Sequence, residues 1–166
     1  MPDISTEVAI ATTTLGSAAA SISFSSISSS YTDLRLIINV AGTSVDQRQI
    51  RLQFNNDTGT NYSFTQLAGD GASASSNRSI SVSYINCAWH GSSLTIPTFY
   101  AIDLFSYSGS TNKTVLCRTN EDKNGSGATA AVVGLWRSTS AINRIDIVLN
   151  TGNLNTGTTA TLYGIL

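Results

Sequence analysis

An antiparallel β-sandwich, wound in the manner of a jelly roll from about 8–11 short strands with little or no helix, is the all-β fold this sequence predicts. Three observations carry that expectation. Aliphatic residues fall mostly at every second position, the repeat of a chain whose side chains alternate between the two faces of a sheet. Over a quarter of the 166 residues are Ser or Thr while only 11% are charged, so the outward positions are largely neutral hydroxyls. Clusters of Gly, Ser, Asn and Asp recur between the alternating segments at hairpin-like intervals. A closed barrel satisfies the same observations and stands as the alternative.

In chain order, residues 1–11 hold Ile4, Val8 and Ile10 with no evident partner strand. They are expected to form an N-terminal arm that contacts a neighbouring subunit or another protein, ahead of a single domain over residues 12–166. Residues 15–20 are Ala-rich, but the Ser and β-branched residues on both sides argue against a long helix. In residues 34–40, Leu34, Leu36, Ile38 and Val40 share one face and Ile37 takes the other, which suggests a central strand. Residues 49–55 alternate without a fault, Ile50, Leu52 and Phe54 on one face and Arg51 and Gln53 on the other. The run from Asn55 to Gly59 then ends that strand, because Asn and Asp tolerate positive φ and Gly adopts it without a Cβ penalty. Further strands are expected over residues 63–68, 79–84, 99–105, 114–117, 130–136, 144–149 and 158–165. The Gly- and Ser-rich joints between them lie at residues 69–73, 108–112, 123–127 and 150–157.

A chain of this length suits one domain and buries roughly 70% of its extended surface. Its net charge of -1 and pI near 5.6 leave no electrostatic footprint for a phosphate backbone, which excludes nucleic acid as the expected partner. No apolar run approaches the ~20 residues that span a bilayer, and the N-terminus lacks the basic and apolar regions of a secretory leader. The expectation is a soluble protein made in a cytosol, without a membrane partner. Cys87 and Cys117 lie far apart without a CxxC motif, and read as two buried small hydrophobes, with a disulfide as the alternative.

Little in the composition supports catalysis. His90 is the only histidine, and no G-x-S-x-G turn precedes a helix. Glu121, Asp122 and Asp57 lack the spacing of a calcium loop. Glycoside hydrolysis needs two carboxylates roughly 5 to 9.5 Å apart, yet Asp70, Asp103, Glu121 and Asp146 occupy ordinary turn or strand positions. The expectations are therefore no enzyme activity, no catalytic residues, no cofactor and no metal. Tyr84, Trp89 and His90 form the one candidate glycan contact, since aromatic rings with polar tips stack on sugars. Faces of Ser, Thr and Asn suit packing against further copies or a larger assembly, because a protein interface need not be more apolar than ordinary surface.

Several segments taken together carry a resemblance. Residues 21–27, 31–36 and 52–63, then 113–116, 134–139, 141–143 and 161–165, resemble small β-sandwich virion proteins of tailed bacteriophages, especially cyanophages and marine phages. The likeness covers the chain from about residue 12 onward. It implies a particle component: a homotrimeric capsid decoration (cement) protein bound to the major capsid protein or another virion protein. A tail-fibre or receptor-binding protein recognising host surface glycans is the alternative. The resemblance carries no catalytic residue. Under the cement reading Ile4, Val8 and Ile10 are the expected capsid or subunit contacts, and the protein is made in the host cytoplasm and resides in the virion. The chain has no heptad shaft or stalk repeat, which favours cement over a fibre.

Overall fold

A computed structural model describes residues 6–43, 49–87 and 96–166. These residues form twelve strands and no helix: β1 (Glu7–Thr14), β2 (Ser21–Phe24), β3 (Asp33–Val40), β4 (Ile50–Phe54), β5 (Tyr62–Gly69), β6 (Ala74–Val82), β7 (Ile85–Asn86), β8 (Thr98–Phe105), β9 (Lys113–Asp122), β10 (Gly127–Trp136), β11 (Ile145–Leu149) and β12 (Thr159–Ile165). They build two antiparallel sheets. The larger runs β1-β12-β3-β8-β9-β10-β5-β6 and the smaller β2-β11-β4-β7. From β2 to β5 the chain crosses between sheets at every step, and it returns to the small sheet for β7 and β11. This is jelly-roll winding in which the strand expected between β3 and β5 has become the three-stranded meander β8-β9-β10. Three strands reverse direction as one does, so the antiparallel order on either side is kept.

The two-residue repeat sets the core. Leu34, Leu36, Ile38 and Val40 of β3, Tyr100, Ile102 and Leu104 of β8, and Val115 and Cys117 of β9 face Ile50, Leu52, Phe54, Ile145 and Ile147 of the small sheet, all buried. β3 lies between β12 and β8, as Ile37 on its second face suggested. Strands also arise where alternation was hidden. Glu7–Thr14 pairs with β12, so the boundary expected after residue 11 falls inside a strand; Val8 stands opposite Gly164 of the C-terminal strand of the same chain, and Ile10 falls at a bulge between Ala9 and Ala11. β7 has only two residues, too short to show a period. β6 begins at Ala74, because its pairing to β5 and not its polar sequence makes it a strand.

Close packing depends on two glycines. A Cβ on Gly134 of β10 would lie 2.6 Å from the Ile85 side chain, so its absence lets β7 rest directly on the large sheet. On β12, Gly164 leaves the space occupied by the Tyr31 ring. The β4–β5 connection opens with Asn55 and Asn56 at φ 53° and 58°, and Asp57 N–H donates to the Phe54 carbonyl at 2.8 Å. Two consecutive positive φ values make this the tight mirror-image turn that Asn favours.

Candidate functional site

The small sheet covers one face of the large one and leaves the other open. On that open face the strand repeat places Leu116 of β9, Ala131, Val133 and Leu135 of β10, and Leu67 of β5. Leu116 stands opposite Val133, and Ala131 opposite Leu67. Leu67 is 61% exposed, Val133 52% and Ile80 of β6 70%, values that core-facing aliphatics of these sheets never approach. Leu67, Ala131 and the stem of Arg118 line a shallow groove of about 470 Å³, and Ile80, Val133 and Leu135 line an adjoining hollow of about 320 Å³. Phe99 and Phe105 of β8 are also exposed, beside Asn120 and Thr114 of β9. A contiguous exposed apolar patch on a sheet face is a recognised mark of an interaction site.

Most of the charge beside this patch is self-compensating, with Arg78 of β6, opposite Thr65, a further cation at the second hollow. Arg35 on β3 bonds Glu7 on β1 and, through Nε at 2.7 Å, Asp103 on β8; Arg118 Nη2 reaches the other Asp103 oxygen at 2.9 Å. Two carboxylates and two guanidinium groups thus form one chain without net charge. The hydrogen bond from Arg35 to Asp103 raises the guanidinium pKa against the opposing effect of burial, and Asp103 and Glu7 add attraction. Beyond Arg35 the face becomes hydroxylic, with Thr12 bonded to Thr161 and Thr14 to Thr159 at about 3 Å. The arrangement offers apolar area and neutral hydrogen-bonding groups, with no nucleophile beside a base.

The carboxylates considered for hydrolysis are dispersed. Asp70 closes the β5–β6 turn by accepting from the N–H groups of Ala72 and Ser73. Asp103 belongs to the ionic chain above. Glu121 points inward at the end of β9, with Lys123 3.5 Å away. Asp146 lies on the small sheet, where burial would raise its pKa but the Arg144 guanidinium and the Ser23 hydroxyl hold it below the ordinary carboxylate value. Asp57 binds the Trp136 indole N–H at 2.7 Å, an arrangement that fixes a loop. Among the described residues no three His, Cys, Asp or Glu side chains are grouped to hold a metal ion, and no helix is long and apolar enough to cross a membrane.

Of the expected glycan contacts, Tyr84 is half-buried between β6 and β7, and the Arg51 guanidinium covers its ring at 3.8 Å. That ring face is therefore occupied from within the chain. Trp89 and His90 lie outside the described residues, as does Ile4 of the expected subunit contact. Val8 is 38% exposed on edge strand β1, while Ile10 packs partly against the core. Trp136 is buried with Phe54 and Tyr62, ring centroids 5.6 and 6.2 Å away. Cys87 and Cys117 are both buried, free and in contact, one on each sheet.

The open face escaped sequence reasoning although a signal existed. Residues 130–136 are apolar almost throughout, so both faces of that strand carry hydrophobic side chains, the feature that marked Ile37. In β3 the second face is flanked by charged and hydroxyl neighbours, whereas in β10 it meets Leu67 and Leu116 and becomes a patch. The chain matches no protein-family model, no curated protein and no solved structure.

Proposed function

We propose that this chain is a bacteriophage virion structural protein, a capsid decoration (cement) protein that binds the outer shell and stabilises it as an oligomer, a homotrimer. The observation that supports this reading best is the apolar open face of β9, β10 and β5 beside an ionic chain of zero net charge. With Arg78 the one cation outside that chain among the described residues at the apolar hollows, such a face is no basic patch for an anionic polymer. It fits a protein surface of similar character, where apolar contact supplies affinity and neutral hydroxyls supply register. The partner is the major capsid protein or another virion protein, and the location is the capsid surface. The resemblance of the segments from about residue 12 onward to phage β-sandwich proteins is what brings this reading forward.

Co-sedimentation of the purified protein with undecorated shells tests it. Wild type is expected to pellet in many copies distributed over each shell. The double variant Leu67→Glu/Val133→Glu, both positions being solvent-exposed, is expected to fold and stay in the supernatant. Absence of wild-type binding overturns the cement reading, and a few copies confined to the tail replace it with the tail-fibre role. Light scattering checks the oligomer: a monomer at high concentration removes the trimer.

A further inference from the structure

Two thiols of opposite sheets meet in the core. Cys87 follows β7 in the small sheet, held by its N–H to the Ile50 carbonyl at 2.9 Å. Cys117 lies mid-strand in β9 of the large sheet, opposite Ile102 and Val132. Both residues have no solvent exposure, and their sulfurs are 2.7 Å apart. That separation is inside ordinary sulfur–sulfur contact, and a disulfide needs about 2.05 Å. Burial raises the Cys87 pKa well above the usual thiol value, and the bond to Cys117 raises it further. A thiol buried in this way is a poor nucleophile until the fold opens around it.

We propose that Cys87 and Cys117 are a covalent cross-linking site, a disulfide that staples the two sheets once the chain meets a low-molecular-weight disulfide such as oxidised glutathione. In the balanced reaction, one protein thiol loses its proton and attacks the small disulfide, forming a mixed disulfide and releasing one small thiolate. The second protein thiol then loses its proton and attacks the protein sulfur of the mixed disulfide, releasing the second small thiolate. The two small thiolates take up the two protons. One protein disulfide is gained and one small disulfide is reduced to two thiols.

Access comes through β7. This strand has two residues, sits at the edge of the small sheet and pairs only through Arg51–Asn86 and Leu52–Ile85. In the proposed route this strand and the Cys87–Ile50 bond release together, while the ten residues of β9 stay paired to β8 and β10. Once formed, the bridge closes a loop of about 30 residues, which restricts the unfolded chain more than the folded one.

The test is to incubate the reduced protein with oxidised glutathione, then denature it, alkylate it with N-ethylmaleimide and weigh it intact. The expected product takes up no maleimide, is about 2 Da lighter than the reduced chain, and yields a tryptic fragment joining Cys87 to Cys117. Its melting temperature is expected to exceed that of the reduced protein by about 10 °C, and Cys87→Ala is expected to abolish the difference. Two alkylated thiols after oxidation, a retained glutathione adduct, or a bridge between chains each overturns the proposal. Measurement on the wild-type chain in both redox states keeps the test decisive if the variant folds poorly.

Discussion

The two ends of the sandwich are built from the same strands and hold their loops in different ways. At the end where β4 passes to β5, long or forked side chains tie loops to one another. The Asp57 carboxylate accepts from Trp136 Nε1, from Asn61 Nδ2 at 3.0 Å and from Gly59 N–H at 2.9 Å. Asn55 accepts from the Asn143 and Arg144 N–H groups and donates to the Ala141 carbonyl. Buried Lys113 donates to the Gly109 and Thr111 carbonyls, and Tyr107 bonds both Ser28 and Tyr31.

At the other end loops are joined by backbone bonds, Ala19 with Leu154 and Asn155 N–H to the Gly42 carbonyl, and the β5–β6 and β9–β10 turns close on themselves. Asp70 bonds within residues 70–73, and Asp122 accepts from Asn124 N–H two residues on. Between these turns is a cleft of about 710 Å³. Beneath it Thr98 Oγ1 and Glu121 Oε1 lack hydrogen bonds around a cavity of about 10 Å³, at the lower limit for one water. Further along β5, both polar atoms of buried Gln66 lack partners. Stability is therefore expected to concentrate at the Asp57 end, because an unmet buried polar group subtracts what a met one adds.

Trp136→Ala tests that expectation most severely. It removes a buried aromatic and leaves the Asp57 carboxylate without its indole donor, so a loss of about 3–5 kcal/mol is expected from denaturant unfolding. A loss below ~1 kcal/mol would show that this end is not the anchor. Gly134→Ala, on the same half of β10, is expected to cost about 1–3 kcal/mol by pushing Ile85 and β7 off the large sheet, read from thermal melts.

The partner-poor region is expected to respond with the opposite sign. Gln66→Met keeps length and removes two unpaired polar atoms, so a gain of about 1 kcal/mol is expected in the same unfolding assay. A loss would mean that those atoms are satisfied in solution.

The smallest effect is a pH dependence. Burial raises the Asp57 pKa, but the Trp136, Asn61 and Gly59 donors outweigh it and hold the carboxyl below its ordinary value. A folded pKa below the unfolded one contributes stability that is fully present above the unfolded value near ~3.9 and lost as pH falls through the folded value. Melting temperature is therefore expected to fall on acidification in wild type and less steeply in Asp57→Asn. Asp146, also held low, keeps its part of the slope in both. Parallel acid curves for the two proteins would remove Asp57 from the account.

Much of the fold was legible in residue order. Leu34 to Val40 and Ile50 to Phe54 each send one apolar face to the core, and the turn at Asn55 and Asn56 carries the residues that positive φ demands. The strands that escaped were those whose identity is conferred by a neighbour. Glu7–Thr14 is a strand because β12 pairs with it, and Ala74–Val82 because β5 does. The open face was the least legible part, since Leu67, Leu116 and Val133 come from three strands and become one patch only through cross-strand register.

Sequence alone determined that this chain forms sheets, which side chains each strong strand buries and where its turns fall, because period and turn chemistry act over a few residues. Tertiary structure alone decided that Glu7, Arg35, Asp103 and Arg118 cancel one another, that Cys87 meets Cys117 across the core, and that one sheet face is left open. Those outcomes depend on distances between residues tens of positions apart, which pairing of strands sets and local preference does not.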